Sequence, residues 1–180
     1  MVAEAAVIPF EDVRERRRTL PARIPSESEF TSEFLASAHL DDLAQELIEQ
    51  YDELEHLQEV RIRVCWKQKG GAKAGKSVLG KCSKPSGLLL FFSELDFVIW
   101  LAADHCRDWN FTNHQLEALV YHELCHAGVE FDDDDQPKYG LLPHDVEMFT
   151  SELDRYGLWM DDLKRAKHAF DQVTLPGFGS

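Results

Sequence analysis

The stretch HELCH, residues 122–126, sets two histidines four positions apart with a glutamate directly after the first. On an α-helix, side chains at i and i+4 share a face about one turn apart. The imidazoles of His122 and His126 can therefore converge on one metal ion, and zinc suits neutral imidazole ligands. Glu123 can reach a zinc-activated water without occupying the metal itself. The chemistry indicated is hydrolysis: zinc lowers the water's pKa towards about 7, and the carboxylate takes its proton as a carbonyl carbon is attacked. A helix carrying these histidines for packing alone would bury two imidazoles and a carboxylate without a metal partner, which is costly.

A catalytic zinc takes three protein ligands and keeps one position open for water. The nearest later element that can supply the third ligand is a helix expected over 143–156, where His144 and Glu147 stand three residues apart on one face. His144 is the preferred ligand, with Glu147 left to orient a histidine N–H. The exchanged assignment, with Glu147 as ligand, stands as the alternative. Cys125 points off the histidine face and reads as a small buried residue. His39, His56 and His168 read as surface positions, and His105 and His114 as exposed or capping residues. The run Asp132–Asp135 lacks the spacing of a calcium loop and reads as solvated charge.

A second pattern competes. KGGAKAGKS, residues 69–77, matches G-x-x-x-x-G-K-[ST] through Gly70, Gly75, Lys76 and Ser77. A phosphate loop needs a buried strand before it and a helix opening at its Lys-Ser end. Here the preceding segment alternates Arg61, Arg63 and Lys67 with apolar residues, and SVLGKCSKPSG follows with no helical period. The segment reads as a flexible hairpin connection.

The elements that must position HELCH are legible from period. Leu40, Leu43, Ala44, Leu47, Ile48, Tyr51 and Leu54 follow helical spacing and place a helix over 38–57. RIRVCWKQ (61–68) alternates as a half-buried strand, SVLGKCSK (77–84) is a candidate partner for it, and FVIWLAA (97–103) is a stronger strand. PSGLLLFFSELD fits either a buried strand or a short helix. Thr112 and Gln115 form a capping box, Phe111 and Leu116 a hydrophobic staple, and a helix follows over 113–128 with an apolar stripe of Leu116, Leu119, Val120 and Leu124. VEFDDDDQPKYGLL reads as a loop, and a last helix spans 159–172.

The chain has 180 residues, 44% of them hydrophobic, enough for one domain with a sizeable core. We read 1–37 as an irregular leader, 38–172 as the domain and 173–180 as coil. No apolar run approaches a membrane span and the start lacks the order of a signal peptide. Four widely spaced cysteines with no C-x-x-C pair give neither a zinc ribbon nor a disulfide framework, so a reduced cytoplasm is expected. The net charge of −14 argues against gripping nucleic acid through its phosphates.

ALVYHELCHAG followed by HDVEMF resembles the phage metallopeptidase family, and through it the SprT-like zinc peptidases and zincins; DFVIWLAADHCRDW before the active helix is similar too. The resemblance spans roughly 60–160. It implies an α+β, zincin-like fold, a small twisted sheet beside the HExxH helix with flanking helices. It makes His122, His126 and His144 the Zn2+ ligands and Glu123 the general base, and it implies a protein or peptide substrate. That substrate would add to a sheet edge, for which 97–103 is the expected segment. Without paired cysteines or a basic character, a DNA-repair role is not carried over. Tyr139, Tyr156, Arg155 and His105 are equal candidates for the oxyanion stabiliser. The alternative of another class is a non-catalytic, zinc-containing interaction module.

Overall fold

The structure, a computed structural model, describes residues 23–134, 136–146 and 150–173. Most of the leader, the C-terminal coil and Glu147 lie outside the described residues. The fold is α+β. The chain divides into two compact units, 1–141 and 142–180, inside the span read from sequence as one domain.

In the first unit, strand β1 (Phe34–Ala36) precedes helix α1 (Ala38–Gln50), so part of the expected irregular leader is sheet. Helix α1 opens at Ser37, whose side chain accepts the Leu40 N–H at 3.3 Å. It buries Leu40, Ala44, Leu47 and Ile48, as its period predicts. It stops earlier than expected. Tyr51 turns extended, and 52–57 continues as a 3₁₀ turn that buries Leu54 and Leu57. The Tyr51 ring meets Tyr121 edge-on at 5.2 Å, which rewards leaving the helix there.

Strand β2 (Ile62–Lys67) buries Val64 and Trp66 on one face, matching its alternation. Its entry is fixed by Asp41 of α1, which accepts the Val64 N–H at 2.8 Å and pairs with Arg63 at 2.9 Å. The glycine-lysine stretch then forms a hairpin, β3 (Ala72–Lys73) and β4 (Lys76–Ser77), turning through Ala74 and Gly75 with φ of 51° and 77°. No helix opens at its Lys-Ser end. Gly70 has a packing reason to be glycine, since a Cβ there would sit 2.3 Å from the Val78 carbonyl oxygen and 2.5 Å from the Ala102 Cβ.

Strand β5 (Gly80–Ser83), helix α2 (Gly87–Ser93) and strand β6 (Phe97–Ala102) follow, so the ambiguous PSGLLLFFSELD is helical. The sheet order is β1-β2-β6-β5, with β2 and β6 parallel and the outer strands antiparallel to their neighbours. Two expectations are corrected here. Within 77–84, residues 80–83 pair with β6 rather than with β2. Residues 97–102 are an interior strand, paired on both sides, and cannot be the edge that receives a substrate. The physical reason lies in the sequence: Phe97, Ile99 and Leu101 are fully buried on one face, and Val98 and Trp100 are half-buried on the other. A strand apolar on both faces belongs in the middle of a sheet.

Helices α3 (Ala103–Asp108) and α4 (Asn113–Cys125) lead to a hairpin of β7 (Ala127–Phe131) and β8 (Pro137–Leu141). The expected acidic loop is thus mostly strand. Asp132 closes its turn by accepting the Asp134 and Gln136 N–H groups at 3.0 and 2.9 Å. In the second unit, 142–146 is not helical, and α5 (Thr150–Tyr156) and α6 (Asp161–Val173) follow. No described helix is long and apolar enough to cross a membrane.

The β2–β6 register is pinned by one buried carboxylate. Asp96 is 5% exposed and accepts from the Arg61 N–H at 2.9 Å and from the guanidinium at 3.0 and 3.1 Å. Burial alone would raise its pKa, but the Arg61 side-chain and backbone bonds outweigh that and hold the carboxyl below its ordinary value. This stabilisation is present above the unfolded-state pKa and is lost as pH falls through the lower folded value. We expect Asp96→Ala to cost about 1–3 kcal/mol in chemical denaturation at neutral pH, with a smaller difference from wild type as pH drops below about 4.

Candidate metal centre

Helix α4 starts where the sequence says it should. Thr112 and Gln115 cap each other, the Thr112 N–H donating to Gln115 Oε1 at 2.9 Å and the Gln115 N–H to Thr112 Oγ1 at 3.3 Å. The stripe of Leu116, Val120 and Leu124 is fully buried, and the helix packs against α1, β5, β6 and β7. That packing fixes the rotation of the helix about its axis, and the rotation decides where HELCH points. His122 is exposed, His126 half-buried, and Glu123 turns inward at 4% exposure.

The two imidazoles lie with ring centroids 5.0 Å apart and planes at 84°. His126 is the C-cap of α4, and its N–H donates to the Glu123 carbonyl at 3.3 Å. The chain enters β7 at the next residue, so the helix ends short of the expected 128. Ala127 is fully buried, and its carbonyl lies 3.0 Å from the Nε2 of His56. That contact anchors the exit of the helix and gives His56 a structural use that its sequence context does not reveal.

Glu123 faces β5, the last strand of the sheet among the described residues. Its carboxylate accepts the backbone N–H of Cys82 on β5. It also lies so close to Gly80 that a Cβ there would stand 2.6 Å from Oε1 and 3.1 Å from Cδ and Cγ. Burial pushes the Glu123 carboxyl above its ordinary pKa, and the His126 ring and the Cys82 N–H pull it partly back. A metal ion held beside it would add a cation to a carboxylate that now has little water. Burial likewise drives the Cys82 thiol up to about 12, with the charge of Glu123 adding to the effect, so it stays protonated. Sequence reasoning missed Gly80 and Cys82. The available signal was a lone glycine inside a strand, which marks close approach of another group.

His144 stands in the non-helical 142–146 segment and is exposed, not on the first turn of a helix as expected. Its neighbour Pro143 restricts Leu142 to extended conformations but is itself compatible with a first helical turn. Glu147 lies outside the described residues. His122, His126 and His144 could bind a metal ion. Three imidazoles are a borderline-soft nitrogen set, suited to zinc and unsuited to calcium or magnesium, which require oxygen ligands. Cys125 is exposed, not buried as its position suggested. Of the oxyanion candidates, His105 lies with Nε2 2.9 Å from the Gly71 carbonyl and stacks on Trp109, and Tyr139 packs edge-on against Phe97 at 5.9 Å. Tyr156 and Arg155 belong to α5 of the second unit.

Replacing His122 and His126 together by Ala should abolish binding of zinc, read by competition with a chromophoric chelator, whereas Cys125→Ser should leave it within about twofold. Loss of zinc in the Cys125 variant alone would move the ligand set to sulfur.

No curated protein and no solved structure matches the chain. A family model does, over residues 32–167, from the β1 region into α6 and across the whole HELCH helix. With well over half of its length matched, the chain belongs to the family described as "Putative phage metallopeptidase".

Proposed function

We propose that the chain is a zinc-dependent metallopeptidase in which His122, His126 and His144 hold the metal and Glu123 is the general base. The observation that carries this reading is the pair of imidazoles 5.0 Å apart on the last turn of α4 with a buried carboxylate between them in sequence. The family points to a metallopeptidase, and hence to a protein or peptide substrate. Zinc, the third ligand and the role of Glu123 are our additions.

When bound, zinc would supply Lewis acidity to a carbonyl oxygen and to water. Glu123 accepts the proton of the attacking water at its carboxylate and delivers it to the departing amine. Its burial suits this double duty, because a carboxylate with a raised pKa takes a proton more readily at neutral pH. Gly80 keeps the space that the carboxylate needs, and the Cys82 N–H fixes its direction. Strand β5, whose far side carries no partner strand among the described residues, offers the sheet edge that 97–102 does not.

The buried, hydrogen-bonded Glu123 is also what a purely structural carboxylate would look like, which keeps a non-catalytic zinc-containing interaction module as the second reading. Two variants separate them. Glu123→Gln should retain about one zinc per chain and lose at least about a hundredfold in peptide cleavage. Gly80→Ala, which drives a Cβ into the carboxylate, should retain zinc and lose about tenfold or more, since small misplacements at the reacting centre are expensive. A wild-type chain loaded with zinc that cleaves nothing in a diverse peptide library would favour the interaction module.

A further inference from the structure

The stretch 67–84, which contains the phosphate-loop look-alike, is the one strongly basic surface of an acidic molecule among the described residues. It carries six lysines and no Asp or Glu, while the rest of the chain sums to −20. Three of the lysines are engaged. Lys67 lies 3.3 Å from Glu33 and 4.6 Å above the Trp100 ring, Lys69 is 3.8 Å from Glu27, and Lys84 donates to the Tyr139 carbonyl at 2.7 Å. Lys73, Lys76 and Lys81 are exposed and have no acidic partner among the described residues.

Lys73 and Lys76 are directly opposite each other in the β3–β4 register. Like charges placed across a strand pair repel and weaken the hairpin. The hairpin turns tightly at Ala74–Gly75, and its base is anchored where Gly70 packs against Val78 and Ala102 and donates its N–H to Asp104 at 2.9 Å. An element that presents two cations side by side suits an anionic ligand that relieves their repulsion. Lys81 follows on β5, the strand whose neighbours Gly80 and Cys82 touch Glu123.

We propose that Lys73, Lys76 and Lys81 bind an acidic segment of a polypeptide, so that the preferred substrates are proteins with clustered Asp and Glu residues; the substrate half of this inference rests on the peptidase reading above. A nucleic acid fits the surface less well. The 67–84 segment has no aromatic side chain on which bases could stack and no arginine for bidentate phosphate contacts. A long polyanion would also run past the patch onto a surface of its own sign.

The test uses the full-length chain carrying Glu123→Gln, so that no probe is consumed, and fluorescence anisotropy. The probes are a labelled peptide of alternating Asp and Glu, a lysine peptide of equal length and a single-stranded oligonucleotide of equal charge. The acidic peptide should bind through the three lysines, whereas any binding of the lysine peptide to the acidic remainder of the surface should not weaken when those lysines are replaced. Binding should weaken at least about tenfold in Lys73→Glu/Lys76→Glu/Lys81→Glu and fall between about 50 and about 300 mM salt. The triple alanine variant, which adds no new charge, should move the same way by a smaller factor, and circular dichroism should show both variants folded. No binding of the acidic peptide, or equal binding by the folded triple variants, overturns the proposal. So does tighter binding of the oligonucleotide, which would reassign the surface to phosphate. If the acidic peptide binds but the zinc-loaded wild type cleaves no peptide, the peptidase reading fails and the binding surface stands.

Discussion

Everything at the centre depends on how one helix is rotated against the sheet. Leu116, Val120 and Leu124 are fully buried, and a stripe spaced by four residues leaves helix α4 a narrow range of rotations. Once that stripe is seated, Glu123 must turn towards β5 while His122 is left exposed and His126 half-buried. The apolar packing therefore aims the polar groups. Sliding or rotating the helix to relieve any one of them would expose leucine and valine side chains, each worth about 1.5–3 kcal/mol when fully buried.

The cost of that arrangement falls on Glu123. A carboxylate at 4% exposure needs compensation, and one backbone N–H and a neighbouring imidazole provide only part of it. The sequence around β5 answers this with glycine at position 80, which lets the carboxylate approach the strand, and with a protonated thiol at Cys82 that adds no second negative charge. The same strand then carries Lys81 away from the site, so that a single edge strand borders both the carboxylate and the lysine-rich surface. The far end of the sheet is held independently, by Asp96 and Arg61 between β2 and β6.

What could be read in the sequence is what short-range physics determines. The Thr112–Gln115 capping box, the α4 stripe, the alternation of β2 and the failure of KGGAKAGKS to open a helix are all set by residues within a turn or two of one another. The order of the strands is set by partners far apart in sequence, which local patterns do not report. Residues 97–102 were expected at an edge although their apolar character on both faces already argued for the interior. Strand β1 is three residues long and shows no period. The β7–β8 hairpin hides behind an acidic turn that looks like solvated loop. The lone glycine at position 80 of a strand signals a close approach, but the group that approaches, Glu123, comes from a helix more than forty residues away and is not named by any local pattern. The expected helix begins at Pro143, a residue well suited to a first helical turn, yet 142–146 is not helical, and no local pattern accounts for that.

The central claim is a three-imidazole zinc centre with one position left open. Zinc K-edge X-ray absorption on the metal-loaded, full-length protein tests it most directly. The account predicts nitrogen scatterers at about 2.0–2.1 Å with the multiple-scattering signature of three imidazoles, a light oxygen completing the shell, and no sulfur at about 2.3 Å. A sulfur shell, or four protein ligands with no exchangeable oxygen, would contradict it and make the metal structural.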